Sequence, residues 1–175
     1  QHSIGTAASV ENSEVLAVDL SLSSLAYAQR KSAELGISNI KYMQADLLHL
    51  TKLDRRFDII ESAGVLHHMD DPLKGWRVLV DCLKDGGLMK IGLYSELARK
   101  HITEVRRDVY QPGANQSDIE MKSIRDLLIN SDPEHHNYVK LSPEFYSLST
   151  LRDLIFHVQE HRFTIRKIKK CLAEL

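Results

Sequence analysis

The chain has 175 residues, 43% of them hydrophobic and 27% charged, with a formal net charge of −1. That is enough for one domain with a buried core, and its charge balance gives no global case for nucleic acid. No apolar run approaches the ~20 residues of a membrane span, no signal-peptide pattern opens the chain, and Cys82 and Cys171 match no metal or redox spacing, so reduced thiols in the cytoplasm are expected.

The first two-thirds of the chain alternate strand and helix signals. The run Val15-Leu16-Ala17-Val18 ends at Asp19 and reads as a buried strand. Ser21 can cap a helix to about Leu35, and Gly36 suits the left-handed position after it. Ile40 to Met43 reads as a second strand ending near Asp46, and Phe57 to Glu61 as a third. Proline at a first helical position loses no hydrogen bond, so Asp71-Pro72 starts a helix. That helix carries Leu73, Trp76, Leu79, Val80 and Leu83 on one side until Gly86-Gly87 breaks it. A fourth strand is expected over 88–94.

Beyond Tyr94 the pattern becomes helical, over 96–109 and 118–130, the second with Ser117 and Glu120 as a capping box. Pro133 and the stretch 135–138 read as loop. A further helix is expected over 151–160, with Thr150 and Asp153 as its box, and Thr164 caps the last helix.

Strands alternating with helices predict an α/β, Rossmann-like, mostly parallel sheet with helices on both faces. Ligands of such sheets bind beyond the carboxyl ends of the strands, where Asp19, Asp46 and the segment after Glu61 are expected. The expected division is a partial cofactor-binding core over 1–94, a helical acceptor-side insertion or lid over 95–163, and the start of the next core helix over 164–175.

Asp19 ends a strand and can accept hydrogen bonds from both ribose hydroxyls of a nucleotide cofactor. A helix cap or a solvated acid is the competing reading. Such an acid follows a glycine-rich turn by about 20 residues, and counting back places that turn just before Gln1. Residues 1–4 then form the first turn of the following helix. Asp46 can accept the adenine amino group while Leu47 offers a backbone N–H; its competing reading is again a helix cap. The most specific stretch runs from Phe57-Asp58-Ile59-Ile60-Glu61 through Gly64-Val65-Leu66-His67-His68 to Asp71-Pro72.

This stretch resembles the fourth-strand motif of class I S-adenosylmethionine-dependent methyltransferases. Leu83-Lys84-Asp85-Gly86-Gly87 resembles the turn before that family's fifth strand, and Val15 to Asp19 and Gln44 to Leu47 resemble its ribose and adenine motifs. The resemblance covers about 1–94 and implies S-adenosyl-L-methionine as cofactor and methyl transfer to an unidentified acceptor, a small molecule or a protein. It implies that Asp19 holds the ribose, Leu20 packs on the adenine, and Asp46 and Leu47 read its edge. Glu61, Ser62, Ala63 and Gly64 would line the methionine part, with Val65, His67 and His68 near the methyl group or acceptor. Either histidine could take a proton from the acceptor; the competing role is packing.

The family's glycine-rich turn and first strand are not in the sequence, nor are its last two strands, so a fragment cut at both ends is expected. Without the first strand, the Asp19 and Glu61 strands are expected to leave a slot between two strand pairs or to pair directly. Weak cofactor binding by the chain as given follows from the same reading. The alternatives are a nicotinamide-dependent or nucleotide-sugar enzyme, against which the Gly-Val-Leu-His-His-Met run and Asp46 argue, and a non-enzymatic Rossmann-like binding module.

Asp153, His157, Glu160 and His161 fall together in the helical block. His157 and His161 share a helix face, but a surface helix is the favoured reading over a metal site. Phe156, His157 and His161 are alternatively acceptor-pocket residues. The stretch 156–164 resembles one in bacterial methyltransferase domains, some of them joined to tetratricopeptide arrays. Arg99, Lys100, Arg106 and Arg107, and Arg162, Arg166, Lys167, Lys169 and Lys170, read as solvated helix faces.

Overall fold

The computed structural model describes residues 2–10, 12–109, 117–156 and 159–175. These fall into two compact units, one of Gln1–Glu61 with Leu73–Lys90, the other of Ser62–Pro72 with Ile91–Leu175.

The first unit holds α1 (His2–Ser9), β1 (Val15–Asp19), α2 (Leu22–Glu34), β2 (Ile40–Gln44), a 3-10 segment (Leu47–Leu53) and most of α3 (Pro72–Asp81). It also holds the first part of β3 (Phe57–Ala63) and of β4 (Leu83–Gly92). β1 and β2 are parallel, with Val15 opposite Ile40 and Asp19 opposite Gln44. Alternate residues turn Val15, Ala17 and Tyr42 onto a small core of Ile4, Ala7 and Ile40, joined by Ala28 and Ile37. The Asn39 amide donates to the carbonyls of Ala7 and Ser13, and so ties the end of α1 to the strand starts. Ser21 caps α2 by accepting from the Ser24 N–H, and Gly36 takes φ +70° after it, both as the sequence predicts.

β3 and β4 form a second two-stranded sheet. Asp58 lies beside Gly87, and Glu61 beside Lys90, so the two strands advance together as in a parallel pair. Among the described residues neither pair is bonded to the other, the slot rather than the direct pairing of the two expected outcomes.

Two boundaries differ from expectation. α3 ends at Asp81, so Gly86-Gly87 does not break a helix, and β4 begins at Leu83 and ends at Gly92 rather than running over 88–94. The glycines serve the strand instead. A Cβ on Gly87 would lie 2.9 Å from the carbonyl oxygens of Asp58 and Lys84, a space closed to any side chain.

The second unit is helical after β4: α4 (Lys100–Val109), α5 (Asp118–Ile129), α6 (Glu134–Lys140), α7 (Leu148–Leu151) and α8 (Ile165–Glu174). Val105, Leu128, Phe145 and Leu151 are wholly buried, with Ile102, Val139, Leu154 and Ile155 around them. Ser117 and Glu120 make the full capping box of α5, and Thr164 caps α8 through the Lys167 N–H. Three expectations fail here. The first helix starts at Lys100, not Glu96. Residues 135–138 belong to α6, because burying His136 and Val139 three apart gives that polar stretch one inward face. The helix expected over 151–160 is replaced by α7 and a π-turn (Arg152–Phe156), and Thr150 donates to the carbonyls of Glu144 and Ser147 instead of capping. No helix among the described residues is long and apolar enough to cross a membrane.

Candidate functional site

In the first unit the ends of β1 and β2 bring Asp19, Leu20, Asp46 and Leu47 to one edge. The Ala45 N–H donates to the Asp19 carbonyl (3.2 Å), and the Gln44 side chain to that of Leu20 (2.9 Å). Asp19 is exposed, and its Oδ1 accepts from the Ser21 N–H at 2.8 Å, which fixes the carboxylate while leaving further acceptor capacity. Leu20 stands 68% exposed, an apolar surface beside two acids. The Asp46 Oδ1 accepts from the Leu48 N–H at 2.9 Å and caps the 3-10 segment, so part of this carboxylate has the capping role weighed against adenine recognition.

Glu61 sits on β3 in the same unit. Its carboxylate accepts from the Thr6 hydroxyl at 2.8 Å and lies 3.2 Å from His2 Nε2 and 3.3 Å from Lys90 Nζ. The Thr6 hydrogen bond, outweighing burial, and the charge of Lys90 hold its carboxyl below the usual range. An open cavity of about 690 Å³ lies there, lined by Gly5, Thr6, Val10, Glu61 and Lys90 among others.

In the second unit, the end of β3 turns through Ser62, Ala63, Gly64 and Val65. Ser62 is buried, and its hydroxyl has no hydrogen-bond partner. Gly64 has φ +78°, a conformation that disfavours any side chain, although a Cβ there would meet nothing within 4 Å. Val65 is 41% exposed.

The two histidines that follow occupy different environments. His67 is buried, stacked on Tyr94 with ring centroids 3.8 Å apart, and neither ring nitrogen makes a well-aligned hydrogen bond. Burial, reinforced by the charge on His68, depresses it to about 4. His68 is half-buried, and its Nδ1 lies 3.0 Å from the Gln159 carbonyl, which requires the proton on that nitrogen in the neutral ring. The His161 N–H donates to the His67 carbonyl at 2.7 Å, so 159–161 is laced to the histidine turn.

Behind Tyr94 lies a network not anticipated from the sequence. The Arg99 guanidinium stacks 4.0 Å over the Tyr94 ring and pairs with Glu160, which also lies 3.0 Å from Arg106. Arg99 and Glu160 are buried, so the expectation of a solvated basic face fails for Arg99 and Arg106, while Lys100 and Arg107 are exposed as expected. Burial alone would raise the Glu160 carboxyl; the Arg99 hydrogen bond and the Arg106 and Arg99 charges outweigh it and hold it low. The sequence signal is two arginines seven positions apart, Arg99 just before an amphipathic helix and Arg106 within it, a spacing that does not by itself distinguish buried from solvated. Glu160 lies outside any helix or strand, not in a helix with Asp153 and His161, and His157 lies outside the described residues. His161 Nε2 is buried without a hydrogen-bond partner.

Residues 1–87 match the family described as Methyltransferase domain. An uncharacterized protein of Synechococcus sp. is 33% identical over 99 residues, covering 56% of this chain and 24% of that protein. Two solved structures of PKMT2 from Rickettsia typhi match at 20% identity, each over 98% of this chain and 36% of theirs. Their TM-scores are 0.67 and, for the complex with AdoHcy, 0.65. The chain thus spans about a quarter to a third of the length of these relatives. The parallel β1–β2 pair, its two terminal acids and the matched segment agree: through residues 1–87 the chain belongs to the class I S-adenosylmethionine-dependent methyltransferase domain family.

Proposed function

We propose that the protein transfers the methyl group of S-adenosyl-L-methionine to an acceptor, with Asp19 and Asp46 holding the nucleoside. The observation that carries this is the Asp19–Asp46 edge itself, two acids past the ends of paired parallel strands within a matched methyltransferase segment. PKMT2 has been solved in complex with AdoHcy, the compound left when S-adenosylmethionine gives up its methyl group.

The donor set fits such a cofactor. Asp19 has acceptor capacity for two ribose hydroxyls, and exposed Leu20 offers the adenine an apolar face. Asp46 and the Leu47 N–H read the adenine edge. Glu61, kept ionised by Thr6 and Lys90, suits the methionine ammonium. For Ser62, whose hydroxyl is buried without a partner, and for Ala63, Gly64 and Val65, a place along the methionine part is what the family resemblance implies.

When bound, the cofactor supplies an electrophilic methyl group on a sulfonium. The residues of this chain hold the cofactor and align the acceptor, an ordering worth about 7–11 kcal/mol at best. Where the acceptor must lose a proton, His68 is the residue for it: with its Nδ1 proton directed at the Gln159 carbonyl, Nε2 carries the basic lone pair. His67, depressed to about 4 and stacked on Tyr94, packs the turn. The helical region 95–163 serves the acceptor, and the longer relatives leave room for further domains, a tetratricopeptide array among them. Cys82 and Cys171, both free thiols, support a cytoplasmic setting.

The test is calorimetric titration of S-adenosylhomocysteine into the chain, or into any longer form of the protein containing it, followed by a radiolabelled-methyl screen of cell extract. Asp19→Ala is expected to weaken binding about 10- to 100-fold, the loss of one or two charge-assisted hydrogen bonds. His68→Gln should leave binding unchanged and slow label transfer. Equal binding by the Asp19→Ala protein would sink the assignment of that edge.

A further inference from the structure

We propose that Asp108, His135 and His136 form a binding site for a divalent transition-metal ion, zinc by ligand type, that ties α4 to α6. None of the three belongs to the cofactor residues or to the histidine turn.

Asp108 lies near the end of α4, and the histidines are neighbours in the first turn of α6, which packs against α4. His135 Nε2 is 2.5 Å and His136 Nε2 3.2 Å from the same atom, Asp108 Oδ2. The three ligand atoms lie within 4.8 Å of one another, and the two rings meet edge-on with centroids 4.5 Å apart. Tetrahedral zinc with bonds of about 2.0–2.1 Å holds its ligand atoms about 3.3 Å apart. The His136–Asp108 distance already meets that spacing, and a small rotation of the less buried His135 would open the other.

A second observation points to a cation. His136 Nδ1 is 2.7 Å from Ser131 Oγ, while that hydroxyl donates to the Leu128 carbonyl at 2.8 Å. The serine has one proton, so both contacts are satisfied only when His136 Nδ1 carries a hydrogen. In the neutral ring, Nε2 then presents a lone pair to a carboxylate oxygen, two acceptors face to face. A positive centre between them relieves that conflict, and Ser131 acts as the outer-shell partner that fixes the tautomer of a metal-binding histidine. His136 is buried and Asp108 exposed, so the set is anchored from inside and open to an entering ion. Two imidazoles and one carboxylate select zinc or a similar borderline ion over magnesium or calcium, with a water in the fourth position.

The experiment adds zinc chloride, and in parallel cobalt chloride, to the chelator-stripped chain. One equivalent of zinc should bind and raise the thermal unfolding midpoint, and cobalt should give the intense visible absorption of a tetrahedral site. Asp108→Asn, at an exposed position, and His136→Gln should each weaken zinc binding at least 10-fold and abolish the cobalt spectrum. His49→Gln, on the 3-10 segment of the other unit, should change neither. Should His136→Gln fail to fold, the Asp108→Asn and His135→Gln proteins decide the matter. A chain whose unfolding is indifferent to zinc, or whose variants bind the ion as well as the parent, overturns the site and leaves a triad held by protons alone.

Discussion

The two units bury their side chains on different scales. In the first, Ile4, Ala7 and Ile40 form a core of three small or medium residues, and Leu20, Leu22 and Ile59 stay exposed. In the second, Val105, Leu128, Phe145 and Leu151 are wholly enclosed, and even a glutamate, Glu160, is drawn inside with its arginines. A region that presents strand ends to a nucleoside must leave polar and apolar surface open. The helical block closes on a core of its own even though its histidine turn and acceptor side carry proposed roles. The larger enclosed cluster therefore lies in that block and not under the Asp19–Asp46 edge.

The sharpest break in that contrast is Glu160→Ala. It strands two guanidiniums, one of them buried, and should cost about 3–5 kcal/mol in urea unfolding. A loss below about 1 kcal/mol would mean the network is incidental. Because the Glu160 carboxyl is held below its unfolded value, its contribution is present above the ordinary glutamate value of 4.5 and is lost as pH falls through the folded value.

Next in size is a matched pair of truncations. Leu128→Ala removes a wholly buried side chain and should fall toward the upper end of about 2–5 kcal/mol; Ile40→Ala, in the small core, should fall toward the lower end. The reverse order, read from denaturation midpoints, would dissolve the comparison.

His67 gives a pH-dependent test of about 2 kcal/mol at pH 5. Its folded value of about 4 lies below the ordinary 6.5, so the unfolded chain takes up the proton first. Stability that is complete above pH 6.5 is lost between 6.5 and about 4. His67→Phe keeps an aromatic ring beside Tyr94 and should flatten that slope, as urea midpoints at pH 7 and 5 would report.

The smallest expected effects are at the caps. Ser117→Ala, which breaks a reciprocal box, should cost about 1 kcal/mol, and Ser21→Ala about half of that, since the Ser21 hydroxyl meets the Ser24 N–H and the exposed Ser23 hydroxyl but has no reciprocal carboxylate three residues on. Thermal midpoints of the two variants, compared side by side, check the ranking.

Much of this was legible from local chemistry. Ser21, Gly36, Ser117 and Thr164 each have a single economical place in a helix, and each takes it. The positions of Asp19 and Asp46 at or just beyond strand ends were legible because a strand end is readable from its apolar run. What escaped depends on partners distant in sequence. α6 exists because His136 and Val139 face inward, which a polar string beside Pro133 does not announce. Gly86-Gly87 looked like a helix stop, yet Gly87 answers to the Asp58 carbonyl 29 residues earlier. Arg99 and Glu160 are 61 positions apart. The metal candidate was hidden for the same reason, its carboxylate lying in one helix and its imidazoles in another.

The separation of β1–β2 from β3–β4 has a consequence for solvent exchange. A strand hydrogen-bonded on one side uses only every second amide, so among the described residues β1 and β2 should show alternating fast and slow hydrogen exchange along Val15–Asp19 and Ile40–Gln44. The fast amides are also open to a strand of another molecule. Concentrated preparations of the chain should therefore associate edge to edge, and anything that seats a strand in the slot should slow those amides and keep the protein monomeric.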